Sequence, residues 1–217
     1  MTAGSFITFE GGEGTGKSTQ AARLAKYLRR EGHDVVLTRE PGGTPSGEII
    51  RRIVLSGGAE PLGAFAEAVL MNAARSDHLD QIIRPALAAG KTVICDRFAD
   101  STRAYQGALG GLEDELLSAM ERAVVGDTTP DLTFLLDAPV EITLARARRS
   151  SRKAGAGALG DRFEKEKASA HRTLRKAFRD IAARDKDRVA VIDARGTEAE
   201  VSRRILDVWN RRLGVAA

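Results

Sequence analysis

The chain has 217 residues, 42% hydrophobic and 29% charged, with 34 basic against 30 acidic side chains and a net charge of +4. That length and balance suit one soluble α/β domain with a sizeable core, and the slight basic excess favours an anionic ligand. No basic stripe interleaved with aromatics is present, which argues against nucleic acid, and the single Cys95 excludes an internal disulfide or a cysteine metal cluster.

The opening MTAGS lacks the basic and apolar regions of a leader, and no apolar run reaches membrane-spanning length, so the expected location is cytoplasmic, with no membrane partner. Phe6 to Phe9 predicts a strand. Gly11 to Thr19, GGEGTGKST, then fits the template G-x-x-x-x-G-K-[ST] at every fixed position. Gln20 to Arg30 follows as an amphipathic helix with Ala22, Leu24, Ala25 and Leu28 on one side, which completes the strand–loop–helix context that a phosphate loop requires. Gly11, Gly12, Gly14 and Gly16 allow the backbone to turn successive N–H groups around an anion, and the helix N-terminus adds its dipole. Lys17 would reach the β- and γ-phosphates, and Ser18 would ligate a bridging magnesium ion. Glu13, inside the loop, would repel phosphates unless it met magnesium or a substrate hydroxyl. Thr15 and Thr19 complete the predicted triphosphate site.

Asp34 to Thr38 predicts a second strand, ended by Pro41, Gly42 and Gly43, with Arg39 and Glu40 at its carboxyl edge. Helices are predicted over roughly Ser46 to Leu55 and Ala64 to Ala88. The second carries Phe65, Ala68, Val69, Leu70, Ala73 and Leu79, more apolar surface than one core stripe needs, which suits a subunit interface. Thr92 to Cys95 is the third strand and delivers Asp96 and Arg97 to the same edge. Leu112 to Val125 predicts a helix, Leu132 to Leu136 a fourth strand ending at Asp137, and Pro139 opens another helix. Ser150 to Gly160, SSRKAGAGALG, loses periodicity and predicts a mobile loop. A helix over Arg162 to Ala183, a strand over Val189 to Ile192 and a helix over Thr197 to Leu213 follow. Five apolar strands separated by helices predict a doubly wound, five-stranded parallel sheet with helices on both faces, a single P-loop domain over 1–217.

Arg39, Arg51 and Arg97 fall at strand ends or in the adjoining helix. Guanidinium forks match phosphate oxygens, so the three together imply a phosphorylated acceptor opposite the triphosphate. Asp96 closes an apolar strand where such folds hold an acid near magnesium. Arg148, Arg149, Arg152 and Lys153 border the flexible segment and can close over a γ-phosphate as a lid spanning about 148–162. His33, His78 and His171 lack ligand-like spacing, and surface or packing roles are expected of them. A GTPase switch would need N-K-x-D, which does not occur.

Six strings, FEGGEGTGKST (Phe9–Thr19), TREPGGT (Thr38–Thr44), AARSDH (Ala73–His78), DRFADSTRAYQG (Asp96–Gly107), PDLTFLLD (Pro130–Asp137) and DRFE (Asp161–Glu164), resemble in order those of bacterial thymidylate kinases. The resemblance spans nearly the whole chain and implies a P-loop fold and ATP-dependent phosphorylation of thymidine monophosphate to the diphosphate, with magnesium. It implies that Arg39, Arg51 and Arg97 hold the acceptor phosphate, that Arg75 hydrogen-bonds a thymine carbonyl, and that Ser101, Tyr105 and Gln106 contact base and sugar. Glu13 matches the loop carboxylate near the sugar hydroxyl or acceptor. Homodimers are usual in the family. The chain departs from the pattern at Met71, where a phenylalanine usually stacks on thymine, and at Ala170, His171 and Phe178, where the family carries paired aromatics and a tyrosine. Its phosphate loop also lacks an arginine, which leaves transition-state charge to the lid arginines.

Overall fold

The strands over 6–10, 92–96 and 132–137 are runs of mainly apolar or β-branched residues buried on both faces, the pattern of a parallel sheet covered by helices, while the edge strands over 35–39 and 189–193 are partly exposed. The computed structural model describes residues 4–154, 163 and 166–214, with backbone alone for 151–154. Its strands are β1 (Phe6–Glu10), β2 (Val35–Arg39), β3 (Thr92–Asp96), β4 (Leu132–Asp137) and β5 (Val189–Asp193), all parallel, in the order β2-β3-β1-β4-β5. Phe9 pairs with Asp96 and with Phe134, so the ends of β1, β3 and β4 lie level. The chain builds one side of β1 first and then crosses to the other, and the loop after the central strand opens at that crossing.

Alternate residues of β1 serve opposite layers. Ile7 and Phe9 pack with α1 (Lys17–Arg30) and α9 (Glu198–Arg212), through Leu24, Leu28, Ile205 and Trp209. Phe6 packs on the other face with Leu79, Ile83, Val93 and Phe98. On α1 the structure buries Ala21 and exposes Ala22, reversing one position of the predicted face. The start of α9 holds as expected: Thr197 accepts from the Glu200 amide at 3.3 Å, and the Glu200 carboxylate accepts from the Thr197 amide at 2.7 Å, a reciprocal cap. Thr44 caps α2 (Pro45–Leu55) in one direction, accepting from Gly47 N–H at 3.0 Å.

The predicted helix over 64–88 is α3 (Gly63–His78), a π-helical turn at Leu79–Ile83, and α4 (Arg84–Ala88). Pro85 has no amide to donate, so the ladder widens just before it. A further helix was not expected: α5 (Ala99–Thr102), continued by a π-helical stretch over Arg103–Leu109. Its inward face is polar, with Asp100, Ser101, Thr102 and Gln106 all buried, so hydrophobic periodicity carries no trace of it. After it come α6 (Asp114–Val124), α7 (Val140–Ala154) and α8 (Ala168–Arg184). Helix α7 takes up the first five residues of the predicted loop, and α8 begins at Ala168 instead of Arg162. The remainder of the predicted lid, 155–162, lies outside the described residues. No single helix among the described residues is long and apolar enough to cross a membrane.

Candidate active site

The loop after β1 takes the conformations its glycines permit. Gly14 has φ 71°, and a Cβ there would lie 2.0 Å from the Thr143 carbonyl of α7, so backbone meets backbone and no side chain fits. Gly16 has φ 96° and turns the chain into α1. Lys17, at the helix start, is buried and donates to the Gly12 carbonyl at 2.9 Å, within its own loop. Burial, then Arg97, push its pKa down against the pull of Glu13, Asp96 and Glu10. Thr15 also bonds Gly12 O, at 2.9 Å. The Ser18 hydroxyl donates to Asp96 Oδ2, and Asp96 Oδ1 is buried without a partner among the described residues.

A cleft of about 730 Å³ runs beside the loop, lined by Gly16 to Gln20, by Arg146 and Arg149 of α7 and by Gly196 to Glu198 after β5. That volume accommodates a nucleotide. Arg149 is exposed and donates to Ala145 O at 3.3 Å, and Arg148 is exposed on the same helix. The side chains of Arg152 and Lys153 lie outside the described residues. Arg146, which sequence reading passed over, bonds Ala194 O at 2.8 Å and Gly196 O at 3.0 Å, tying α7 to the loop after β5.

Across the loop stands Arg97, the one described non-glycine residue with positive φ, at 71°. Its guanidinium donates to Glu13, to Gly11 O at 3.2 Å, to Ser101 Oγ at 3.2 Å and to Tyr105 Oη at 3.2 Å. Tyr105 Oη donates to Glu13 at 2.7 Å. Burial would raise the Glu13 pKa, but Arg97, then Lys17, the Tyr105 hydrogen bond and His171 pull it down and hold the carboxyl at about 2. Glu13 thus meets Arg97 and Tyr105, and that is how a carboxylate is tolerated in the loop.

Arg39 ends β2 beside Asp96, half exposed and bonded to Glu48 at 2.9 Å. Arg51 reaches back from α2 to Pro41 O at 2.9 Å. The three expected acceptor arginines therefore border one carboxyl edge. Arg75 is buried, with donors on Glu40 at 2.8 Å, Thr102 at 3.0 Å and Asn72 at 3.3 Å, and it lies 5.1 Å from the Phe98 ring centroid. Glu40 also meets His78 Nδ1 at 3.1 Å, whose Nε2 meets Thr38 Oγ1 at 2.7 Å, so His78 is a packed, bonded histidine as expected. Met71 is partly buried against the cluster of Val54, Tyr105 and Phe178. Gln106 donates to Glu67 at 3.3 Å while its Oε1 is buried without a partner among the described residues. Tyr105 packs edge-on to Phe163 and Phe178, which brings one residue of the DRFE string and one of α8 against it.

Two acids were given no role by the sequence reading. Asp137 grips Arg175 of α8 through two bonds, at 2.7 and 2.9 Å. Glu10, the last residue of β1, is buried and accepts from Phe98 N at 2.7 Å, Ser101 N at 3.2 Å and Ser101 Oγ at 2.7 Å. A strand-ending acid after a run of three apolar residues and one threonine was the available signal for Glu10, the same signal that singled out Asp96.

Residues 9–205 match the thymidylate kinase family model. Similar proteins include the thymidylate kinase of a Bradyrhizobium species, 53% identical over 98% of this chain and 92% of that protein. The thymidylate kinase of Caulobacter vibrioides is 50% identical over 99% of this chain and 100% of that protein. Among solved structures, the thymidylate kinase of Ehrlichia chaffeensis aligns with a TM-score of 0.75 at 34% identity, covering 95% of this chain and 98% of that one. With a family model across most of its length, half-identical relatives over nearly all of it and a shared fold, the chain belongs to the thymidylate kinase family.

Proposed function

We propose that this chain carries out its family's reaction, transferring the γ-phosphoryl group of ATP to thymidine monophosphate to give the diphosphate, between the cleft beside the phosphate loop and the corner at Arg97. The observation that carries this reading is the contact of Arg97 with both Glu13 and Gly11 O, which sets a phosphate-directed guanidinium against the loop that would hold the donor. Lys17 neutralises the transferred group, and Arg39, Arg51 and Arg97 hold the acceptor phosphate, whose anionic oxygen attacks without a general base. Arg75, Ser101, Tyr105 and Gln106, with Met71, line the base and sugar side, where the bare Gln106 Oε1 suits a donor such as a pyrimidine imide N–H.

Magnesium suits Ser18 and Asp96. The orphaned Asp96 Oδ1 and the hydroxyl beside it are hard oxygen donors, and magnesium takes few protein ligands when phosphates and water supply the rest. Bound there, it would neutralise charge on the β- and γ-phosphates. The chain pairs with a second copy through the exposed apolar patch of Leu62 and the start of α3, where Leu62 is 68%, Phe65 53% and Val69 44% exposed, and sedimentation at the mass of a dimer, lost on Phe65→Asp, would bear that out. Its place is the cytoplasm, where both nucleotides are available. Incubation with ATP, magnesium and each nucleoside monophosphate in turn, with ADP release as readout, tests the assignment. Thymidine monophosphate is expected to lead, and preference for a purine monophosphate would overturn it.

A further inference from the structure

Arg97 is held in a backbone conformation that costs a residue with a Cβ roughly 1–2 kcal/mol, so something nearby must over-determine it. Its own amide donates to Phe9 O at 2.9 Å, and the next amide, Phe98 N–H, donates to the Glu10 carboxylate at 2.7 Å. Two successive N–H groups therefore converge on neighbouring residues of β1, and the residue between them turns to φ 71°. Phe98 opens α5 with no side-chain cap of its own. Glu10 supplies that cap from another strand, accepting both the Phe98 and Ser101 amides on Oε1 while Oε2 takes the Ser101 hydroxyl. Ser101 Oγ in turn accepts from Arg97 NH1 at 3.2 Å, so the clamp reaches the guanidinium by a second route.

We infer that Glu10 is a positioning residue for phosphoryl transfer: it pins the corner after β3 so that Arg97 faces the phosphate loop. Glu10 does not touch the nucleotides; it acts through the backbone of Phe98 and through Ser101. What matters is the reach of its acceptor oxygens from the end of β1, because both amides and the hydroxyl bond within 3.2 Å of a fixed strand. Burial, with Asp100 beside it, pushes its pKa up to about 7 against the opposing pull of Arg97, Ser101 and Phe98, in keeping with a group kept for its geometry at a cost in solvation. The inference rests on the role given to Arg97 above.

The test compares Glu10→Asp, which keeps the carboxyl group but shortens the reach, with Glu10→Gln, which keeps the reach and an acceptor oxygen. Misplacing a catalytic group by about 1 Å can cost on the order of a hundredfold, so E10D is expected to lower kcat by at least about tenfold and to raise KM for thymidine monophosphate. Its KM for ATP stays within about twofold, and E10Q recovers most of the loss. An acid that merely stabilised the fold would lower the melting temperature while leaving kcat per folded molecule and the ratio of the two KM values unchanged. Arg97→Asn, chosen because asparagine tolerates positive φ, closes a double-mutant cycle. In that background E10D is expected to add little further loss, since the group it positions is gone. If R97N loses activity and E10D multiplies that loss in full, Glu10 does not act through Arg97 and the inference fails. If R97N itself has ordinary kcat and KM, the assignment of Arg97 fails first, and the two failures are told apart.

Discussion

Arg97 and Glu13 form an ion pair that is 15% and 12% exposed and joins the corner after β3 to the phosphate loop. The pair satisfies both charges before any substrate arrives, so an incoming acceptor phosphate must share Arg97 with Glu13. Breaking a buried pair leaves one charge uncompensated, at a cost of about 1–3 kcal/mol for a pair as partly shielded as this one. Glu13→Ala is therefore expected to lower the urea midpoint of the free chain. Thymidine monophosphate should return part of the loss by supplying Arg97 with an anion. A deficit identical with and without the monophosphate would remove its phosphate from Arg97.

Lys17 sits on Gly12 O, at the centre of the loop, and charge on the transferred group peaks in the transition state. Lys17→Ala is expected to abolish turnover while leaving the thermal transition cooperative, because the lysine bonds one loop carbonyl and supports no core contact. Near-wild-type turnover in a folded variant would remove the loop from the mechanism.

The five strands were legible because each is a short apolar run flanked by turn residues, and the phosphate loop because its spacing is fixed by the anion it surrounds. Helix α5 and its continuation were not, since their buried face is made of Asp100, Ser101, Thr102 and Gln106. Polar residues are buried there because partners on other elements satisfy them: Glu10 takes Ser101, Glu67 takes Gln106, and Arg188 takes Asp100 at 2.8 and 3.1 Å. Those partners lie 91, 39 and 88 residues away, and no local pattern encodes contacts at that distance. Arg39 and Arg97 could be placed at one edge from strand ends and Arg51 from the helix that follows, whereas the pairing of Glu13 with Arg97 required the folded corner.

The phosphate loop has no arginine, so on the proposed reading compensating charge for the transferred group comes from the arginines at the end of α7. Arg149 lines the cleft with Lys17, while Arg148 does not, which puts Arg149 first between those two. Alanine substitutions of Arg148, Arg149 and Arg152, one at a time, are expected to find at least one that lowers kcat far more than it raises the KM for ATP. Arginine fingers contribute about 10³–10⁵ in kcat elsewhere. Three near-neutral results would defeat the assignment.

Glu10 also sets a pH dependence of stability. Its carboxyl is raised in the folded chain from 4.5 to about 7, so the folded state holds a proton that the unfolded state has released across that interval. The stabilising contribution is full below about pH 4.5 and is lost as pH rises through about 7, a difference of a few kcal/mol. Glu13, held near 2, acts in the opposite sense and only below about pH 4.5, outside this window. Replacing Glu10 by Gln removes the titration, so E10Q is expected to gain stability relative to the wild type between pH 5 and 8. Urea midpoints that move in parallel for both proteins would show that Glu10 ionises normally.

Met71 stands one helical turn before Arg75 on α3, which puts the two side chains on the same face. It is partly buried against the cluster that holds Val54, Tyr105 and Phe178. A thioether is flexible and polarizable, so it can cover a pyrimidine ring, but it lacks the planar stacking surface of phenylalanine. Met71→Phe is expected to tighten thymidine monophosphate binding by about threefold to tenfold, the worth of an aromatic pair beyond buried area, unless overpacking against Tyr105 cancels the gain. Met71→Ala avoids that ambiguity. Truncation should weaken thymidine monophosphate binding by titration calorimetry while ATP, whose cleft is on the other side of the phosphate loop, binds as before. An unchanged affinity for the monophosphate would mean that Met71 packs the core and never touches the base.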